Sequence, residues 1–147
     1  MAKSLDAREE EKFIQIMKVL DAKWPESKIE PSLDRIKALV DILGAPQDTF
    51  RSIHIAGTNG KTSTSRMIDS LLQAFELRTG RFTSPHLESP LERISLNGTP
   101  ITPTFFNYTY NDIASYIDLI DQRSDSNGIP LSYFEVMTAI AFAAFAD

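Results

Sequence analysis

Seven consecutive residues, Gly57-Thr58-Asn59-Gly60-Lys61-Thr62-Ser63, have the composition of a phosphate-holding loop. Glycines let a backbone turn tightly and aim successive N–H groups at one point. A helix starting just after the turn directs the positive end of its dipole at the same point. Lys61 adds a full charge for the outer phosphates. Thr62 or Ser63 offers a hydroxyl to phosphate or Mg²⁺. The run departs from the usual G-x-x-x-x-G-K-[ST] pattern, which requires glycine at position 55, where this chain has Ile55. Its first glycine lies only three residues before Gly60. The flanking segments support the phosphate reading, because a strand-like stretch precedes the loop and a helical pattern follows it.

Those flanks imply a fold. Ser52 to Ala56, with β-branched Ile53 and Ile55, reads as a parallel strand, and His54 within it as a core histidine rather than a ligand. Thr62 to Phe75 reads as a helix, with Met67, Ile68, Leu71, Leu72 and Phe75 facing inward. Thr79 to Thr83 reads as a second strand, completing a β-α-β unit. Ser84 to Glu92 holds two prolines and no periodicity, so a loop is expected. Within it, His86 reads as a hydrogen-bonding loop residue rather than a catalyst. Asn97-Gly98 between two apolar pairs is a hairpin signal.

The outer segments read as helices. Asp6 is the expected cap of a helix through Ala22, with Phe13, Ile16, Met17 and Leu20 on its apolar face and Trp24-Pro25 ending it. Glu9-Glu10-Glu11 is its solvated side. Ser32 is the expected cap of a second helix, with Leu33, Ile36, Leu39, Val40 and Leu43 inward and Gly44 and Pro46 stopping it. Pro103 suits the first turn of a third, capped by Thr102, with Phe106, Tyr110, Ile113, Ile117 and Ile120 inward. The aromatic cluster at 105–110 therefore reads as core plus surface rather than a stacking platform. After a turn-rich linker, Tyr133 to Ala146 is apolar almost all round and needs cover on most sides. That helix, and the small number of strands, lead to the expectation of a truncated α/β domain: a partial parallel sheet with flanking helices and a phosphate loop.

Composition narrows the class. With 42% hydrophobic and 24% charged residues, the chain is expected to pack a core rather than remain disordered. It contains no cysteine, which removes disulfides, thiolate metal sites and cysteine nucleophiles. No stretch reaches the roughly 18 apolar residues of a membrane helix, and no signal peptide is visible, so no membrane partner and a cytoplasmic setting are expected. The net charge of −5 argues against nucleic acid as the main partner.

The run from Ser52 to Ser63 resembles the loop of the Mur ligase superfamily. Thr83-Ser84-Pro85-His86-Leu87, Glu92-Arg93-Ile94, Asn97-Gly98 with Ile101, and Ser132-Tyr133-Phe134-Glu135 with Thr138 resemble its folylpolyglutamate synthase/dihydrofolate synthase branch. These motifs occur in order, which is more specific than a loop alone. The resemblance implies ATP and Mg²⁺ as cofactors. It implies L-glutamate and dihydropteroate or a reduced folate as substrates, joined through an acyl phosphate. It implies that Gly57, Thr58, Asn59, Gly60, Lys61, Thr62 and Ser63 hold ATP, with Lys61 also catalytic, and that Ser84 binds the metal. It places Glu30, Pro31, Ser32, Arg93, Ser132, Tyr133, Phe134 and Glu135 at the pterin or folate.

Other readings stand beside these. Ser84 before Pro85 is, by itself, an ordinary start of a turn. Glu135 is either a pterin acceptor or an acid favoured by the first turn of its helix. Position 62 is Thr where many relatives carry Gly, which still permits a phosphate loop. Residues 1–147 are expected to be the N-terminal portion of the ATP-binding domain, with the glutamate-binding domain beyond, the fragment inactive alone and the full-length enzyme a monomer. Two rivals remain: a peptidoglycan-type Mur ligase, against which Ser84-Pro85-His86-Leu87 argues, and a phosphate-loop module without chemistry.

Overall fold

A computed structural model of the chain describes residues 4–23, 32–123 and 129–147. They fall into two compact units, one from residues up to Thr49 together with Pro103–Asp147, the other Phe50–Thr102.

The first unit is helical. Helix α1 spans Leu5–Asp21, α2 Asp34–Ile42, α4 Pro103–Asp121 and α5 Tyr133–Ala146. Each contributes an apolar stripe at helical spacing: Phe13, Met17 and Leu20; Leu39 and Val40; Phe106, Ile113, Ile117 and Ile120; Val136, Met137 and Ile140. Phe13 meets Phe106 edge to face, ring centroids 5.1 Å apart at 88°, the arrangement the ring quadrupoles favour. The buried Asn107 amide donates to Glu9 Oε2 at 3.0 Å and to the Glu9 carbonyl at 2.8 Å. Glu9 is therefore not on the solvated side, as the acidic run implied. Lys23 pairs with Asp121, whose other oxygen accepts the Leu131 N–H at 2.7 Å.

Two details of these helices differ from the sequence reading. Ser4 rather than Asp6 caps α1, its hydroxyl accepting the Ala7 N–H at 3.3 Å. Ser32 does accept the Asp34 N–H at 3.1 Å, but α2 begins only at Asp34 and Leu33 lies outside it, exposed. The expected stop at Trp24-Pro25 and most of the linker at 124–130 lie outside the described residues.

The second unit holds α3, Lys61–Ala74, and a three-stranded sheet in the order β1-β2-β3: Gly80–Phe82, Ile94–Leu96 and Thr99–Pro100. The α/β character, the flanking helices and the Asn97-Gly98 hairpin are all present. The pairing is antiparallel, with Gly80 opposite Leu96 and Ser95 opposite Pro100, not the parallel pairing expected. Residues 51–56 form no strand, and His54 and Ile53 are exposed rather than buried. A strand needs a neighbour's backbone to complete its ladder, and none of these three strands pairs with that segment.

Helix α3 inverts the expected burial. Met67, Leu71 and Phe75 are 61–76% exposed. Its one buried residue is Asp69, which accepts from Thr79 Oγ1, from Gln73 Nε2 at 2.8 Å and from Arg81 Nε at 3.4 Å. Burial pushes the Asp69 carboxyl up, but these three donors outweigh it and hold it below its ordinary value. Arg81 continues to Ser95 Oγ at 3.2 Å, so a polar chain ties α3 to β1 and β2.

Asn97 and Gly98 both have positive φ, 48° and 79°, the backbone of the tight hairpin turn. A Cβ at Gly98 would lie 3.0 Å from Gln73 Nε2. Gly98→Ala is expected to lower stability by about 1–2 kcal/mol, from left-handed strain plus that close approach. Urea unfolding measures it, and a change below about 0.3 kcal/mol would show that the turn relaxes freely.

Candidate functional site

The phosphate loop has the backbone its glycines imply. Gly57 and Gly60 adopt φ of 143° and 77°, and Gly60 is the N-cap of α3. A left-handed Gly60 turns the chain so that the helix begins at once, with the Thr64 N–H bonded to the Gly60 carbonyl at 2.8 Å. No side chain caps this end. The amides of Lys61, Thr62 and Ser63 precede the first intrahelical bond and are oriented for an external acceptor. The residues from Gly57 to Thr64 are exposed. Lys61 Nζ curls back over its own loop, donating to the carbonyls of Gly57 and, at 3.4 Å, Thr58. An anion above the loop would therefore meet this ammonium and the helix end together.

Ser84 is exposed at the start of the loop that follows β1, in the same unit. That loop is held from its far end. Glu92 Oε2 accepts the Leu87 N–H at 3.1 Å, and Oε1 accepts those of Glu88 and Ser89 at 3.1 and 3.0 Å. The amides of Leu87 and Ser89 lead in holding the Glu92 carboxyl below its ordinary value. Arg93, buried at 4% exposure, donates through Nε to His86 Nδ1 at 2.9 Å. His86 is thus the loop hydrogen-bonder anticipated for it. Arg93, which the resemblance places at a substrate, also holds the loop.

In the helical unit, Ser132 caps α5 and Glu135 closes a reciprocal capping box: Glu135 N–H to Ser132 Oγ at 3.2 Å, Ser132 N–H to Glu135 Oε2 at 2.8 Å. Arg35 of α2 donates through Nε to both Glu135 oxygens, at 3.2 and 3.3 Å. Glu135 is thus committed to the scaffold, while Phe134 beside it is 39% exposed and Tyr133 is buried. Ser32 stands at the head of α2, and Glu30 and Pro31 lie outside the described residues. The structure therefore joins the loop residues at one helix end, and Ser132 and Glu135 at another.

Sequence reading missed Arg35, Asp69 and Glu92. For Glu92 the signal was present, because Ser89-Pro90-Leu91-Glu92 follows the S-x-x-E capping pattern. The only local sign of Asp69 is an acid within an apolar stretch.

A short glycine loop at the head of a helix in an α/β unit is the arrangement of phosphate-loop proteins. No family model matches the chain. It is 55% identical over 139 residues to a dihydrofolate synthase/folylpolyglutamate synthase of Mycobacterium tuberculosis, covering 92% of this chain and 28% of that protein. A Bacillus subtilis protein of the same name is 41% identical over 119 residues, 81% of this chain and 27% of its own length. The solved folylpolyglutamate synthase of M. tuberculosis complexed with ADP superposes with a TM-score of 0.87 at 54% identity, covering 95% of this chain and 30% of that one. The chain belongs to the folylpolyglutamate synthase/dihydrofolate synthase family, and it spans somewhat under a third of the length of these relatives.

Proposed function

We propose that this chain is the nucleotide-binding N-terminal portion of an ATP-dependent ligase that joins L-glutamate to the carboxylate of dihydropteroate or a reduced folate. The observation that carries this reading is the open helix end behind Gly57–Ser63, in a chain whose M. tuberculosis relative is complexed with ADP. A carboxylate is a poor electrophile until one of its oxygens becomes a leaving group. Passing the γ-phosphoryl to that oxygen breaks its bond to ADP and yields an acyl phosphate. The glutamate amine then attacks the acyl carbon, the amide forms, phosphate leaves and the amine loses its proton. Protein groups serve such a reaction mainly by positioning and by stabilising charge. Here the open amides of Lys61, Thr62 and Ser63 orient the phosphates, joined by Thr58, Asn59 and Gly60 by family likeness, and the Lys61 ammonium meets the charge that gathers on the outer ones. Thr62 and Ser63 add hydroxyls at the helix start.

Among the described residues no three His, Cys, Asp or Glu side chains gather as a metal site. Mg²⁺ keeps several waters and shares phosphate oxygens, so one exposed hydroxyl beside the nucleotide fits its chemistry. Ser84 is the residue that would hold it, and bound there the ion would neutralise phosphate charge. At the pterin, exposed Phe134 offers a ring face, with Ser32, Ser132 and Tyr133 around it by family likeness. The two units together are read as the N-terminal portion of one ATP-binding domain, with the glutamate site beyond residue 147 and a monomeric enzyme. No helix among the described residues is long and apolar enough to cross a membrane.

The test is ADP release by the full-length protein with Mg-ATP, L-glutamate and either dihydropteroate or a reduced folate. Release that requires both glutamate and a pterin substrate is expected, and the pterin that works identifies which glutamate is added. A folded protein that binds ATP yet releases no ADP with either pterin would overturn the reading.

A further inference from the structure

The loop from Ser84 to Ser89 has no regular structure, so something else must set its shape. Five bonds do so, all made by residues at its far end. The carboxylate of Glu92 gathers three consecutive amides, those of Leu87, Glu88 and Ser89, at 3.0–3.1 Å. Arg93 holds the His86 ring at 2.9 Å, and its own carbonyl accepts the Thr83 N–H at 2.9 Å. The stretch is thus closed on both sides of Ser84, by Thr83 before it and by residues 86–89 after it. Both Glu92 oxygens are used within the loop, so this carboxylate acts through the backbone rather than on a ligand.

We infer that Glu92 is a positioning residue of the nucleotide site: it fixes the loop that presents Ser84, so that the Ser84 hydroxyl is already in place when Mg-nucleotide arrives. The inference rests on the reading of Ser84 given above. A ligand on a loop loses affinity when the loop must be ordered at the moment of binding, because that entropy is then subtracted from binding. A carboxylate that accepts three amides removes the need. An amide side chain in its place has one acceptor oxygen and two N–H groups that face other N–H groups, so the cradle fails while the size is conserved.

The experiment uses the full-length protein with Glu92→Gln and Ser84→Ala. ADP binding is followed by calorimetry across a Mg²⁺ titration, and amide hydrogen exchange is read at residues 86–89. Glu92→Gln is expected to speed exchange at Leu87, Glu88 and Ser89 by about 10-fold. It is also expected to raise the Mg²⁺ midpoint for ADP binding by roughly 10-fold, the usual scale for residues that orient a metal's ligands. A residue that merely caps the loop would lower Tm without moving that midpoint. An unmoved midpoint in Glu92→Gln overturns the inference. If Ser84→Ala shifts the midpoint and Glu92→Gln does not, only the positioning role fails. If neither shifts it, the reading of Ser84 fails as well. Should Glu92→Gln not fold, Arg93→Lys removes the Nε donor to His86 with charge kept, and the same midpoint decides.

Discussion

Lys61→Ala is expected to weaken ATP binding by at least about 100-fold, or about 2.7 kcal/mol. Two losses combine to give this figure. The ammonium is the only full charge on the side chains of Gly57–Ser63, and a charge-assisted hydrogen bond to phosphate contributes about 1.5–3 kcal/mol. The same Nζ also ties the Gly57 and Thr58 carbonyls together, so its removal loosens the turn that aims the amides. The loop is exposed and α3 begins from backbone geometry at Gly60. The substitution should therefore leave folding nearly intact, which circular dichroism checks. Calorimetric titration of the full-length protein with ATP reads the effect. Affinity equal to that of the unsubstituted protein would remove Lys61 from the site and leave the helix end as the whole of it.

Arg35→Met is expected to cost about 3–5 kcal/mol of folding stability, the range for removing one partner of a buried ion pair. Arg35 and Glu135 are each only 9% exposed. Arg35 spans both carboxylate oxygens and joins α2 to the start of α5. Methionine fills the space of the alkyl stem but leaves a buried carboxylate whose one partner among the described residues is the Ser132 amide. Adding Glu135→Gln removes the stranded charge, so the double variant is expected to recover part of the loss. A double-mutant cycle by urea unfolding isolates the coupling between the two. A loss below about 1 kcal/mol for Arg35→Met would place the pair with exposed salt bridges, which contribute little. The same pair fixes the Glu135 carboxylate beside Ser132 at the start of α5.

Sequence alone determined what depends on local chemistry. The left-handed Gly60 and the helix start behind it follow from glycine's lack of a Cβ. The Asn97-Gly98 turn follows from two residues that tolerate positive φ. The start of α5 follows from Ser132 before a mostly apolar run, and the stripes of α1 and α4 from their spacing. Tertiary structure decided whatever depends on neighbours. Periodicity on α3 reports which side chains share a face, not whether anything covers that face, so Met67 and Leu71 are exposed while Asp69 is buried. Residues 51–56 have strand-like side chains, but a ladder requires a second backbone. The pairing of Arg35 with Glu135 joins positions 100 apart, and no local rule selects one carboxylate among many at that separation. Glu92 stands between the two cases. Its capping pattern is written in Ser89-Pro90-Leu91-Glu92, but only the folded loop brings three amides to a single carboxylate, because their convergence depends on the path of the chain from Ser84 onward.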